Sequence, residues 1–170
     1  MKVQTVIGEI DVKDMGITIT HEHLLIDARK AWYEPKEATR IALAHQPVSI
    51  EILHELRQDP YMNLDNCFMF DEDVSVNEAK QFQLLGGSTI VDATCLGIGR
   101  DPQALQRISK RTGLHVIMGC GYYLESRHPP HVKDASIESL TDEMIRDVLE
   151  GAEGTNIRAG YIGEIGVSKN

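Results

Sequence analysis

Gly16-Ile17-Thr18-Ile19-Thr20-His21-Glu22-His23-Leu24-Leu25-Ile26-Asp27 carries the information that sets the fold. The β-branched run from Ile17 to Thr20 predicts a strand, and a strand points alternate side chains to one face. His21 and His23 therefore project together, placed to hold one metal ion through imidazole nitrogens. Glu22 faces the opposite side, which suits a structural or outer-shell role better than general-base work.

A second element answers the first. Gly163-Glu164-Ile165-Gly166 follows Ala159-Gly160-Tyr161-Ile162, an apolar strand ending in a carboxylate between two glycines, where backbone and substrate can come close. Two imidazoles and a carboxylate from different strand ends make a mixed nitrogen and oxygen site. Such a site suits zinc, manganese or cobalt better than a sulfur-selective metal. Cys67, Cys95 and Cys120 are odd in number and in no C-x-x-C arrangement, so they are read as buried thiols, without a disulfide framework or zinc knuckle.

Between these ends the pattern alternates. Residues 1–15 read as a hairpin, turning near Gly8-Glu9, and a connector. Ser88 to Thr94, His115 to Gly121 and Ala159 to Val167 read as further strands. Helices are predicted over 76–85, over 102–111 with Asp101 as N-cap and Gly113 beyond its end, and over 137–149 with Gly151 after it. Residues 28–77 form a long insert after the first barrel strand, with 46–57 helical, His54 on its amphipathic face beside Ile50, Leu53 and Arg57, and a loop at Pro60 to Asn63. Long structured loops of this kind shape pockets and lids.

Near-continuous apolar strands separated by helices imply parallel strands covered on both faces, which leaves a doubly wound sheet or a (β/α) barrel. No G-x-G-x-x-G opens a helix, and candidate ligands at the C-terminal ends of the first and fourth strands favour the barrel. The class is α/β, a (β/α)8 TIM barrel of metal-dependent hydrolase type. A complete barrel has eight strands and about 250 residues; four strands are legible in these 170 residues. The chain is accordingly expected to be the N-terminal half of a single barrel, residues 1–170.

Composition narrows the class of partner. A formal net charge of -9 offers no basic face for DNA or RNA. The N-terminus lacks an uninterrupted apolar signal core, and no run of about 18 apolar residues suggests a membrane span. The expectation is a cytoplasmic enzyme with a small-molecule ester, lactone or amide substrate, no nucleic-acid or membrane partner, and a homodimer as the candidate assembly.

The segment from Gly16 to Asp27 resembles the N-terminal signature of the phosphotriesterase family in the amidohydrolase superfamily. Thr89-Ile90-Val91-Asp92, Gly97-Ile98-Gly99-Arg100-Asp101, Gly121-Tyr122-Tyr123 with His128-Pro129, Ile157-Arg158-Ala159-Gly160 and Gly163-Glu164-Ile165-Gly166 continue the resemblance in order, closest to the phosphotriesterase-related branch. It implies a hydrolase of ester, lactone, amide or phosphotriester-type bonds with two divalent metal ions, zinc first. His21 and His23 match ligands of the more buried ion, and Glu164 matches the bridging carboxylate. Organophosphate-degrading members carry a carboxylated lysine at that bridge; Lys169, five residues on, is misplaced for the part. No catalytic residue is assignable in this half, because two later histidines and a final aspartate would lie beyond Asn170. Tyr122, Tyr123 and His128 are candidate substrate contacts on the loop after the third strand, with His131 nearby. Asp27 and Asp92 are read as outer-shell carboxylates or loop caps, and Arg100-Asp101 as an ion pair with a helix cap. A TatD-like metal-dependent deoxyribonuclease and an inactive fragment are the alternatives.

Overall fold

The computed structural model describes residues 1–168. In chain order its elements are β1 (Lys2–Thr5), β2 (Gly8–Asp11), β3 (Ile17–Glu22), β4 (Ile26–Asp27), α1 (Ala38–Ala44), α2 (Leu53–Gln58), β5 (Phe68–Met69), α3 (Glu72–Leu84), β6 (Gly87–Asp92), α4 (Pro102–Thr112), β7 (His115–Cys120), α5 (Ile137–Leu149) and β8 (Tyr161–Ile162). They fall into two units, one made of Met1–Leu25 with the chain from Asp71 onward, the other of Ile26–Phe70.

The first unit is a four-stranded parallel sheet in the order β3-β6-β7-β8. Every strand but the last is followed by a helix before its neighbour, as right-handed crossovers require. α3 packs on β6, and α4 and α5 on β7. Almost every residue of β7 is buried, and Ile90, Val116 and Met118 join Leu105, Ile108 and Leu114 in the core. Burial on both faces explains why this strand reads as an unbroken apolar run. β3 lies at the edge, and its Ile17 is 62% exposed. At the other edge, Ile162 and Ile145 line an apolar groove of about 280 Å³ with Thr141, Met144, Val148 and Leu149.

Capping residues set the helix limits. Asp101 Oδ1 accepts the Ala104 N–H at 2.9 Å, and Gly113 closes α4 in the left-handed region at φ 76°. α5 begins after Ser136 and runs over the predicted 137–149. α3 starts four residues before the predicted Val76, because Asp71 accepts from the amides of Asp73 and Val74. In the hairpin, Thr5 pairs with Gly8, so the two-residue turn is Val6-Ile7, two residues earlier than Gly8-Glu9. Gly8, with φ 124°, supplies the backbone geometry that closes it.

The second unit spans Ile26–Phe70, shorter at its C-terminal end than the expected 28–77 because α3 belongs to the sheet unit. Its antiparallel pair joins Ile26 to Met69 and Asp27 to Phe68. The expected helix over 46–57 is broken: Val48 N–H goes to Asp65 Oδ2 at 2.8 Å, and one 3-10 turn at Ile50–Ile52 precedes α2. Ile52, Leu56 and Met62 form the small core, so its buried face is not the Ile50, Leu53 and Arg57 face; Ile50 is 83% exposed. Buried Asn63 staples the unit, donating to the carbonyls of Leu43 and Gln46 and accepting the Asn66 N–H. Among the described residues no helix is long and apolar enough to cross a membrane.

Candidate metal centre

The ends of β3, β6 and β8 build the site. At the end of β3, the Glu22 carbonyl accepts the Ala93 N–H at 2.7 Å, continuing the ladder past Asp92. Asp92 is fully buried, and its two carboxylate oxygens accept the Leu24 N–H at 2.8 Å and the Thr94 N–H at 3.0 Å. One side chain therefore pins the residue that follows His23. Asp92 thus caps the β3 turn, whereas Asp27 lies in the other unit, paired with Arg29.

Burial pushes the Asp92 carboxyl up to about 6, against the pull of the two amides. A carboxyl whose folded value lies above its ordinary 3.8 contributes stability in full below that pH and loses it as pH rises to about 6. In metal-free protein, the unfolding free energy of the wild type relative to Asp92→Asn should fall by about 3 kcal/mol across that window and stay level above it. Urea titrations at several pH values measure this; a difference independent of pH would contradict it.

β8 is shorter than the expected strand over 159–167, and Glu164 stands two residues past its end. The Gly163 N–H donates to Cys120 O at 2.7 Å. A Cβ at Gly119 would lie 2.0 Å from the Gly163 carbonyl oxygen, so only glycine lets β7 and this turn approach. His21 Nε2 is then 3.4 Å from Glu164 Oε2, and His23 Nε2 is 3.9 Å from Glu164 Oε1. The three donor groups lie within 4.8 Å of one another.

These separations are long for N–H···O hydrogen bonds. Donors at about 2.0–2.2 Å from a tetrahedral ion sit roughly 3.3–3.6 Å apart; the His21–Glu164 separation of 3.4 Å lies in that range, and the His23–Glu164 separation of 3.9 Å is a few tenths of an ångström beyond it. The donor set therefore fits a zinc-like ion. Burial lowers the pKa of His23, helped by the charge of His21, which favours the neutral imidazole that binds metal. Burial raises the Glu164 carboxyl, with His21 opposing. Glu22 is exposed, as is His21. Lys169 lies outside the described residues.

The loop candidates form a cluster of their own. The Tyr122 ring meets those of His128 and His131 edge-on at 5.9 and 6.4 Å, and His128 Nε2 is 2.9 Å from the Tyr123 carbonyl. His131 faces Glu143 at 3.1 Å. Burial and the Glu143 carboxylate hold the Tyr122 phenol protonated. All three cysteines are buried and outside any disulfide among the described residues, and burial with the nearby Glu164 charge pushes the Cys95 thiol up to about 11. One neighbour of the site carries little signal in the sequence, and one expected ion pair has other partners. Thr94, buried beside His23, reveals itself only as the second residue after a strand-end Asp; Arg100 pairs with Asp147 and Glu153 instead of Asp101.

A parallel β/α layer with two histidines and a carboxylate gathered at its C-terminal strand ends is part of a (β/α) barrel, of which four strands are described here. The chain belongs to the Phosphotriesterase family, whose sequence profile it matches over residues 1–170. It is 40% identical over 168 residues to a phosphotriesterase-related protein of Nematostella vectensis, covering 97% of this chain and 48% of that protein. It is also 40% identical over 166 residues to an N-acetyltaurine hydrolase of Tetraodon nigroviridis, covering 97% and 47%. Among solved structures, a resiniferatoxin-binding protein from Rhodobacter sphaeroides superposes with a TM-score of 0.94 at 49% identity, over 98% of this chain and 46% of that one. An organophosphorus hydrolase from Deinococcus radiodurans superposes at 0.64 with 26% identity, over 95% and 43%. The chain thus spans about half the length of the relatives it matches.

Proposed function

We propose that the intact protein is a divalent-metal-dependent hydrolase of small molecules carrying an ester, lactone, amide or phosphotriester-type bond, with N-acyl amides as the first class to try. The convergence of His21, His23 and Glu164 carries this reading. Relatives named N-acetyltaurine hydrolases, at 36–40% identity, favour an amide over the phosphotriester suggested by a neighbour at 26%.

His21, His23 and Glu164 would hold the metal. When bound, such ions polarise the oxygen under attack and make water acidic enough to ionise near neutral pH. The chain's own residues keep donors and surroundings in order. Asp92 fixes the β3 turn, and Gly119 admits the Glu164 turn. The protonated Cys95 offers no competing thiolate. Tyr122, Tyr123 and His128 supply the loop that contacts substrate, and the apolar edge at α5 and β8 receives the next barrel unit. The remaining ligands and the proton-accepting carboxylate come from those further units, so the 170 residues alone are expected to bind metal weakly and to turn over no substrate.

Metal content of the purified intact protein and a screen of N-acyl amides, aryl esters, lactones and phosphotriesters test the reading. Bound zinc, manganese or cobalt and chelator-sensitive turnover, fastest on a carbonyl substrate, are expected. A metal-free protein with no chelator-sensitive activity on any of these would overturn it.

A further inference from the structure

Thr94 follows β6 with only 1% of its surface exposed. Its hydroxyl oxygen lies 3.0 Å from His23 Nδ1 and 3.0 Å from the Leu25 carbonyl oxygen. A hydroxyl has one proton and can also accept, whereas a carbonyl only accepts. If the proton goes to Leu25, the oxygen is left to accept from His23, which requires hydrogen on Nδ1. In a neutral imidazole the lone pair is then on Nε2, the nitrogen that faces Glu164. The opposite tautomer would place a proton where a metal ion must bind and withdraw the hydroxyl proton from a buried carbonyl.

We infer that Thr94 is a positioning residue that locks His23 in the Nδ1–H tautomer, presenting its Nε2 lone pair to the metal site. This rests on the metal-site reading above and adds the origin of the ligand's orientation. The anchoring is preorganised: Asp92 accepts the Thr94 N–H, and the same carboxylate holds Leu24 beside His23. A partner on the non-ligating nitrogen commonly supports a metal-binding histidine, and its loss typically weakens metal binding by about 10- to 100-fold.

The test uses the intact protein, metal-free at pH 8, with long-range nitrogen–proton NMR of the imidazoles, followed by zinc titration against a competing chelator. In the wild type, His23 should show hydrogen on Nδ1 and an unprotonated Nε2. Thr94→Val, which keeps shape and loses the hydroxyl, should shift His23 towards the other tautomer and weaken zinc binding by about 10- to 100-fold. Thr94→Ser should keep both wild-type values. An Nε2–H signal in the wild type would overturn the inference without any variant, and so would a folded Thr94→Val with unchanged tautomer and zinc affinity. A wild type that binds no zinc would overturn the metal-site reading, while the tautomer measurement would still decide the role of Thr94.

Discussion

His23→Ala is expected to remove metal and hydrolysis together, with affinity falling by more than about 100-fold, beyond the range of outer-shell losses. His23 is the better-buried imidazole, its side chain 25% exposed against 58% for His21, and it alone is tied to Thr94. His21→Ala should act in the same direction. Glu164→Gln removes the anionic oxygen and should lower occupancy as well, whereas Glu22→Gln should leave metal and turnover within about twofold, since Glu22 is not among the clustered donors. Elemental analysis and kcat/KM on the same preparations decide the matter. Full metal occupancy in His23→Ala would end the assignment of that ligand, and loss of metal in Glu22→Gln would mean the strand faces are reversed.

The grouping of His21, His23 and Glu164 was legible because it depends on short-range geometry: two histidines two residues apart at a strand end, and a glycine-flanked strand end for Glu164. The limits of α4 and α5 were legible for a similar reason, since Asp101, Gly113 and Ser136 act within a few residues of themselves. What failed to show depends on partners far away in the chain. β8 was read as nine residues, yet its ladder with β7 ends at Ile162, and the chain then turns through Gly163. Periodicity predicts one helix over 46–57, with no sign that Asp65 captures the Val48 N–H or that Asn63 binds two carbonyls. Thr94 reaches His23 across 71 positions, and Arg100 reaches Asp147 across 47. No local pattern records such pairings.

Arg100→Met should be the most destabilising substitution outside the metal ligands, at about 3–5 kcal/mol and roughly 10 °C in Tm. The Arg100 side chain is 1% exposed; it donates to Asp147 at 2.7 Å, to the Gly119 carbonyl at 3.2 Å and to Glu153 at 2.8 Å. Burial lowers its basicity, and the two carboxylates more than restore it, so the guanidinium stays charged. Methionine fills a similar volume, so the cost comes from stranding Asp147, whose side chain is 8% exposed, without a counter-charge. Glu153 is 34% exposed and can be solvated, so Glu153→Gln should cost no more than about 1 kcal/mol. The double variant Arg100→Met with Asp147→Leu should recover much of the loss, because a buried pair replaced as a whole by apolar side chains is often neutral. At the site the effect should be confined to loss of the fold. The Asp147 carbonyl accepts the Ala159 N–H at 2.8 Å, two residues before β8 and five before Glu164. Chemical denaturation of the four proteins, with zinc affinity measured well below each Tm, separates the two consequences. A fall in stability with near-normal affinity in the cold is expected. If Arg100→Met is as stable as the wild type, the ion cluster does not hold this part of the sheet together.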